Sequence, residues 1–329
     1  MIGYDIHTLR YKRMKRICST QGWTLLLYYL LMNVAVLLYV VVAGVIIAAA
    51  QSANGNYVDI QAIIMDLASS GMGYFIAIGL GMMIMLLWKK PKYLKTTICK
   101  NGRPMKFSDF IMIFVICLGI QGVFQIFAVL LETMLNRVGL SILRGIESAT
   151  STEDTLSMFL YAAFGAPISE ELLFRGFLLR SFEPMGKKFA IFTSALLFGL
   201  FHGNIIQIPF AFMVGLLWAY VTLEHSIWWA MLLHIFNNLI LGDTIPRILP
   251  TLPSNILFMV LFYGGMIAGI VLLICKHKSI ANYWRSHKNA PMAFQAFFSN
   301  PGMLFFLVFN LIDIIYVTSV LITPYTFQM

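Results

Sequence analysis

Charge is scarce in this sequence of 329 residues, because Asp, Glu, Lys and Arg together make up only 11% of it. Apolar residues make up 60%, and the mean hydropathy is +0.82. A typical soluble domain is about 25% charged and about 45–50% apolar. A chain this poor in polar groups cannot cover its apolar surface in water, which excludes a soluble domain. Apolar runs of about 20 residues, enough to cross about 30 Å of hydrocarbon, occur along the whole chain. We therefore expect an all-α polytopic membrane protein.

Cysteine is also scarce, and the four cysteines show neither a CxxC motif nor any paired spacing. A disulfide framework is therefore excluded as the basis of the fold, and reduced thiols are expected. No internal repeat relates the two halves of the chain, although such repeats are usual in transporters. The HExxH zinc motif is absent as well. The lack of a repeat argues against a transporter, and without an HExxH motif nothing in the sequence requires a metal.

Hydropathy and helix-breaking residues predict about eight or nine transmembrane helices. The predicted spans are residues 23–50, 72–88, 108–133, 155–181, 189–203, 206–222, 227–242, 255–275 and 302–322. If the N terminus is cytoplasmic, the cytoplasmic connections hold 19 Lys and Arg residues and the external ones hold three. Because Lys and Arg concentrate on the cytoplasmic side, this split predicts a cytoplasmic N terminus. The fifth to seventh spans are short for a bilayer, which favours a wet cavity between them.

Three regions follow from these spans. Residues 1–154 contain a cytoplasmic tail and three spans, residues 155–242 a core of four helices, and residues 243–329 the C-terminal spans. The net charge of +9 is explained by basic connections that lie against anionic lipids. Membrane lipids are therefore expected partners, and nucleic acid is not. Gly265 and Gly269 in the eighth span predict close helix packing, with a dimer face as the alternative.

Polar side chains deep in the spans mark candidate functional positions, because each ionisable group costs at least about 2.5–3.5 kcal/mol on insertion. In the core these residues are Glu170, Glu171, Arg175, His202, His234, Asn237 and Asn238. At about 1.5 Å per residue, Glu170, His202, His234 and Asn238 fall in one mid-membrane band on three helices. Interhelical hydrogen bonds or a structural ion pair explain any one of them alone. Their convergence at one depth favours a functional site.

One further acid, Asp313, lies in the ninth predicted span, and Asn310 precedes it by one helical turn. A charged side chain at this depth needs a partner. We expect Asp313 to make a structural hydrogen bond, with a role in the cavity as the alternative.

Three short motifs follow one another on successive predicted helices. Glu170–Arg175 reads EELLFR, Phe198–His202 reads FGLFH and His234–Asn238 reads HIFNN. In type, order and spacing they resemble the motifs of the CAAX protease and bacteriocin-processing (CPBP, or Abi) family of intramembrane proteases. The resemblance covers residues 155–242, and the family suggests an eight-helix plan to which the ninth span is an addition.

The resemblance implies a division of labour among these residues. Glu170 would act as general base on a water that His202 holds, and His234 and Asn238 would donate hydrogen bonds to the developing oxyanion. It also implies three supporting residues, Glu171, Arg175 and Phe198. A metal version uses Glu170, His202 and His234 as zinc ligands and leaves one position open for water. The residues favour neither version decisively, and we lean to the metal-free one.

The expected function is hydrolysis of a peptide bond in a peptide or membrane-associated substrate. Eukaryotic members of the family trim prenylated CAAX tails, whereas bacterial members are linked to peptide maturation or bacteriocin immunity. Nothing in the chain resembles an organelle retention signal, so a bacterial plasma membrane is the expected location. A proton-coupled transporter, in which the same side chains form a relay, is the alternative function. A non-catalytic scaffold of the same fold is a further alternative.

Overall fold

The structure, a computed structural model, describes residues 6–150, 155–241, 256 and 260–324. Its helices are α1 (Ile6–Ala53), α2 (Ile60–Ser69), α3 (Gly71–Tyr93), α4 (Phe107–Asn136), α5 (Leu143–Thr150), α6 (residues 156–182), α7 (Lys187–Phe201), α8 (Gln207–Glu224), α9 (Ile227–Leu241), α10 (Gly265–Ser286), α11 (Ala293–Phe298) and α12 (Pro301–Leu321). A π-helical segment continues α3 (Leu94–Ile98), a 3₁₀ turn follows α6 (Glu183–Met185), and another π-helical segment leads into α10 (Val260–Gly264). Strands β1 (Leu140–Ser141) and β2 (Thr323–Pro324) pair in an antiparallel ribbon.

The described helices confirm the all-α membrane fold. Among them α1, α4, α8, α10 and α12 are long and apolar enough to cross a membrane. The helix α2 and the first part of α3, bent by 53° at their junction, form a sixth candidate span. The helix α7 has only 15 residues, or about 22 Å, which agrees with the short fifth span expected there. The total of eight or nine spans stays a prediction, and the region boundaries at 154 and 242 lie outside the described residues.

The helix α6 is continuous, but its hydrogen bonding alternates between α and π turns. The π segments are Tyr161–Gly165 and Glu171–Leu179. Pro167 has no N–H to donate to the carbonyl four residues earlier, and that carbonyl lies within the first π segment. A π segment holds more residues per turn than an α-helix and so changes the face on which later side chains lie. The second segment therefore sets the directions of Glu171 and Arg175.

Polar contacts between α7, α8, α10 and the loop before α4 hold one end of the bundle together. Lys187 Nζ lies 2.6 Å from Glu224 Oε1, and Tyr283 Oη donates to the same oxygen at 3.0 Å. Nearby, Arg103 Nη2 donates to Tyr220 Oη at 2.9 Å. We call this side the basic end and the opposite side the far end. Because α7 begins at the basic end, its last turn lies about 22 Å away, toward the far end.

Glycines allow α4 and α10 to approach closely. A Cβ atom on Gly119 would lie 3.0 Å from Gly269 Cα, and one on Gly265 would lie 2.7 Å from Leu118 Cβ. Small residues at such crossings let helix backbones pack against each other. The predicted close packing of Gly265 and Gly269 is therefore confirmed within the chain.

The crossing of α1 and α12 depends on Gly22 in a way that can be measured. A Cβ atom at Gly22 would overlap the backbone of Gly302, whereas one at Gly79 would meet nothing within 4 Å. We expect Gly22→Ala to lower the unfolding free energy by about 1–3 kcal/mol or more, since overpacking forces backbone shifts. The matched Gly79→Ala variant should be neutral or slightly stabilised by helix propensity. Thermal unfolding of both variants in one detergent makes the comparison, and equal melting temperatures would contradict this crossing.

Candidate active site

The predicted polar side chains meet where α6 and α9 pack together beside the last turn of α7. Glu171 and Arg175 form an ion pair with Oε1 and Nη1 3.3 Å apart, and both side chains are fully buried. His234 Nδ1 lies 3.0 Å from the same Oε1 atom. One carboxylate oxygen therefore joins a guanidinium on its own helix to an imidazole on another helix.

The charge of Arg175 fixes the hydrogen-bond direction in this triad. A guanidinium stays protonated in proteins, and a buried one needs an anion as its partner. Glu171 is thus the carboxylate, and His234 Nδ1 donates to it. The other ring nitrogen, Nε2, points away from Glu171 and lies 3.7 Å from Glu170 Oε2. The two adjacent glutamates consequently face opposite nitrogens of one imidazole.

Aromatic rings pack around the triad of Glu171, Arg175 and His234. Trp218 on α8 stacks on the His234 ring with centroids 3.9 Å apart and planes 22° apart. The Arg175 guanidinium carbon lies 4.2 Å from the centre of the Phe198 ring and 5.5 Å from that of Trp218. Phe198 also meets both imidazoles edge-on, at 4.8 Å for His202 and 5.9 Å for His234. Such cation–π contacts are worth about 2 kcal/mol when they are desolvated, so the rings help to hold the cation in place.

His202 follows the last residue of α7, at the point where the helix ends. Its Nδ1 atom lies 2.8 Å from the carbonyl oxygen of Phe198. Because a carbonyl only accepts, Nδ1 carries the hydrogen and Nε2 keeps its lone pair. The next residue, Gly203, has φ +67°, the left-handed conformation that commonly ends a helix. The residue as a whole is half-buried.

A chain of amide hydrogen bonds crosses the site next to His234. Gln121 Nε2 on α4 donates to Asn237 Oδ1 at 2.6 Å, and Asn237 Nδ2 donates to Asn238 Oδ1 at 3.3 Å. Asn238 Nδ2 in turn donates to the carbonyl oxygen of Ala162 on α6 at 2.8 Å. The amide of Asn238 is therefore oriented, and within the described residues Ala162 takes one of its two N–H groups.

Accessibility separates the two glutamates. The Glu170 side chain is 27% exposed, whereas the Glu171 side chain is 0% exposed. Of the two, only Glu170 can reach a molecule that enters from outside the helices. The carboxylate of Glu171 is instead bound by Arg175 on α6 and by His234 on α9.

Carboxylate and imidazole groups are common zinc ligands, but the three groups here are not arranged around one ion. Glu170, His202 and His234 are the alternative zinc ligands, but within the described ranges no three His, Cys, Asp or Glu side chains are grouped to hold a metal ion. A zinc–nitrogen bond is about 2.0–2.1 Å long, so these side chains would have to move to share one ion. We therefore assign no chemical step to a metal.

Two residues of the site were not predicted. Gln121 and Trp218 lie on α4 and α8, in apolar spans outside the three motifs. A glutamine in the middle of an apolar span is itself a signal, because a buried amide needs partners. Trp218 gave no comparable signal, since a tryptophan in a membrane helix is unremarkable in composition. Its role depends on how α8 is rotated against α9.

Comparison with known proteins identifies the segment that carries the site. Residues 152–240 match the family model described as Type II CAAX prenyl endopeptidase Rce1-like. This segment contains all three motifs and corresponds to α6 to α9. Searches of the curated proteins and of the solved structures found no match. Residues 152–240, which contain the paired glutamates, the two imidazoles and the orienting amides of the site, are therefore similar to the CAAX-type family of intramembrane proteases.

Proposed function

We propose that the chain is an intramembrane endopeptidase in which Glu170 activates a water molecule against a peptide bond. One observation carries the proposal: Glu170 is open to an incoming molecule and lies 3.7 Å from His234 Nε2, while Glu171 is sealed against Nδ1. A general base must reach the water whose proton it takes, and it must lie near the other catalytic groups of the site. Of the two adjacent acids, Glu170 meets that requirement.

The first step is attack by water. The lone pair on His202 Nε2 accepts a hydrogen bond from the water, and the carboxylate of Glu170 takes one of its protons. The hydroxide that forms adds to the carbonyl carbon of the substrate, whose oxygen becomes an oxyanion. Asn238 donates its second N–H to this oxyanion. His234, which was also expected to donate there, instead directs its Nδ1 hydrogen to Glu171 and acts in the next step. Preorganised donors of this kind commonly supply about 2.7–4 kcal/mol each to the transition state.

The second step is loss of the amine. The proton on Glu170 passes across the 3.7 Å gap to His234 Nε2, or through one bridging water. The resulting imidazolium is balanced by the Glu171 carboxylate and held by the Trp218 face. Nε2 then protonates the departing nitrogen as the carbon–nitrogen bond breaks. The water's oxygen and one of its hydrogens stay on the new carboxyl group, and the other hydrogen leaves with the amine.

The substrate belongs to the proposal as well. The family match favours a peptide that carries a lipidated cysteine near its C terminus, and the membrane setting equally suits maturation of an unmodified peptide. We place the protein in a bacterial plasma membrane with its N terminus in the cytoplasm, which accords with the excess of Lys and Arg at the basic end. Membrane lipids and a peptide or membrane-protein substrate are its partners.

The test is proteolysis by the purified protein in detergent. The probes are a peptide with a farnesylated cysteine followed by three residues and the same peptide without the lipid. We expect wild type to cleave one of the probes, the Asp66→Ala control to cleave it equally, and Glu170→Ala to leave it intact. Mass spectrometry in ¹⁸O-water should find one heavy oxygen in the new carboxyl terminus. Equal cleavage by wild type and Glu170→Ala would end the proposal.

A chelator arm separates the two versions of the mechanism. Activity that survives prolonged chelation supports the glutamate mechanism. Loss of activity, followed by rescue with zinc alone, would support metal ligation by Glu170, His202 and His234. Movement of a solute by the protein in vesicles, without cleavage of either probe, would favour the transporter alternative.

A further inference from the structure

A third acidic residue, Asp313, lies beside the site and comes from outside the matched segment. Asp313 is on α12, and its Oδ2 atom accepts a hydrogen bond from Tyr29 Oη on α1 at 2.8 Å. Neither helix belongs to residues 152–240, and the two partners are 284 positions apart in the sequence. A carboxylate inside a membrane helix costs at least about 2.5–3.5 kcal/mol on insertion scales. The structural hydrogen bond that Asp313 was expected to make is therefore present.

The pair lies against the residues on both sides of His202. A Cβ atom added to Gly203 would be 3.2 Å from Asp313 Oδ2, so the carboxylate rests on that glycine. The Tyr29 ring meets the Phe201 ring edge-on, with centroids 5.5 Å apart. Gly203 and Phe201 directly follow and precede the imidazole-bearing residue. The pair therefore supports the turn that carries His202.

This turn depends on its neighbours because it lies beyond the regular helix. The amide of His202 donates to the Gly199 carbonyl at 3.2 Å, and the amide of Gly203 to the Leu200 carbonyl at 3.1 Å. On the other side of the turn, Asn204 Nδ2 donates to the Gly145 carbonyl at 2.9 Å. The chain is thus held after the turn by α5 and at the turn by α1 and α12. Without the second support, the glycine allows the backbone to move.

We propose that Asp313 and Tyr29 are positioning residues that hold the turn of His202, and with it the imidazole that orients the attacking water. The proposal rests on the proposed function to the extent that His202 acts on that water. Neither residue touches the reacting atoms. Asp313 acts through Gly203, and Tyr29 acts through the ring of Phe201.

The first test is kinetic. We expect Tyr29→Phe and Asp313→Ala each to lower kcat by about 10–100-fold with KM nearly unchanged, since a shift of about 1 Å in a catalytic group costs up to about 100-fold. Asp313→Asn keeps an oxygen that accepts from Tyr29 and should restore most of the rate. The double variant Tyr29→Phe/Asp313→Ala should be no slower than the slower single variant, because both break one contact. Tyr39→Phe, on the same helix, is the matched control. Unchanged kcat in Tyr29→Phe would overturn the proposal.

The second test does not need activity. Diethyl pyrocarbonate modifies histidine nitrogens, and peptide mass spectrometry follows each histidine separately. We expect the reaction at His202 to become several-fold faster in Tyr29→Phe, while the reaction at His277 on α10 stays constant. Equal rates at His202 in wild type and Tyr29→Phe would overturn the proposal. If wild type cleaves neither probe but this rate changes, the proposed function fails and the support of the turn stands.

Discussion

The Glu170→Gln variant is expected to fold as the wild type does and to lose about 10²–10⁴-fold in kcat, the range that general base catalysis contributes. Glutamine keeps the size and one oxygen of glutamate but cannot take a proton. Its surroundings have room for the change, because the Glu170 side chain is 27% exposed and, among the described residues, its ion-pair partner His234 lies 3.7 Å away. The measurement is single-turnover cleavage of the probe peptide, alongside thermal unfolding.

The Glu170→Asp substitution provides a second test of the role of Glu170. Aspartate keeps the carboxylate but shortens its reach by one methylene, so Glu170→Asp should retain more activity than Glu170→Gln while staying below wild type. KM should change little in either variant, since the base acts on water and the substrate is held elsewhere. A Glu170→Gln protein with more than about a tenth of the wild-type kcat would contradict the role of general base.

Much of the site was predictable, because the spacing of residues along a helix determines which of them share a face and at what depth they lie. The four-residue spacing of Glu171 and Arg175 placed them on one face of a helix, and the structure pairs them at 3.3 Å. Counting residues along each helix brought α6 and α9 to one depth, and Glu170 and Glu171 both contact His234 there. The assignment of catalytic roles stays a prediction.

Other features could not be predicted because they depend on helix rotation and on distant contacts. The π segment at Glu171–Leu179 is not encoded by any apolar period, and the buried Glu171 is its first residue. Trp218 reaches His234 only because α8 turns that face toward α9. The Tyr29–Asp313 contact joins helices near opposite ends of the chain. The sequence indicated that Asp313 needed a partner but not which residue supplies it.

Arg175→Met is expected to lower the unfolding free energy by about 3–5 kcal/mol, the usual cost of removing one partner of a buried pair. Methionine fills the space of the side chain between Phe198 and Trp218 but leaves the Glu171 carboxylate without its cation. One oxygen of that carboxylate, Oε2, already has no hydrogen-bond partner in the described part of the chain, so little else can compensate. Thermal unfolding in detergent, with the exposed Arg144→Met as the control, measures the loss.

The double variant Glu171→Gln/Arg175→Met shows whether the destabilisation is electrostatic or steric. Glutamine removes the orphaned charge yet keeps an oxygen that accepts from His234 Nδ1, so most of the lost stability should return, since neutral replacements of a buried pair are often tolerated. Cleavage should stay well below wild type, because Glu171 then no longer balances an imidazolium at His234. If the double variant unfolded as easily as Arg175→Met alone, packing of the guanidinium against the rings would be the dominant contribution. If stability returned but the cleavage rate did not, the result would indicate that the Glu171–Arg175 pair acts in proton transfer by His234.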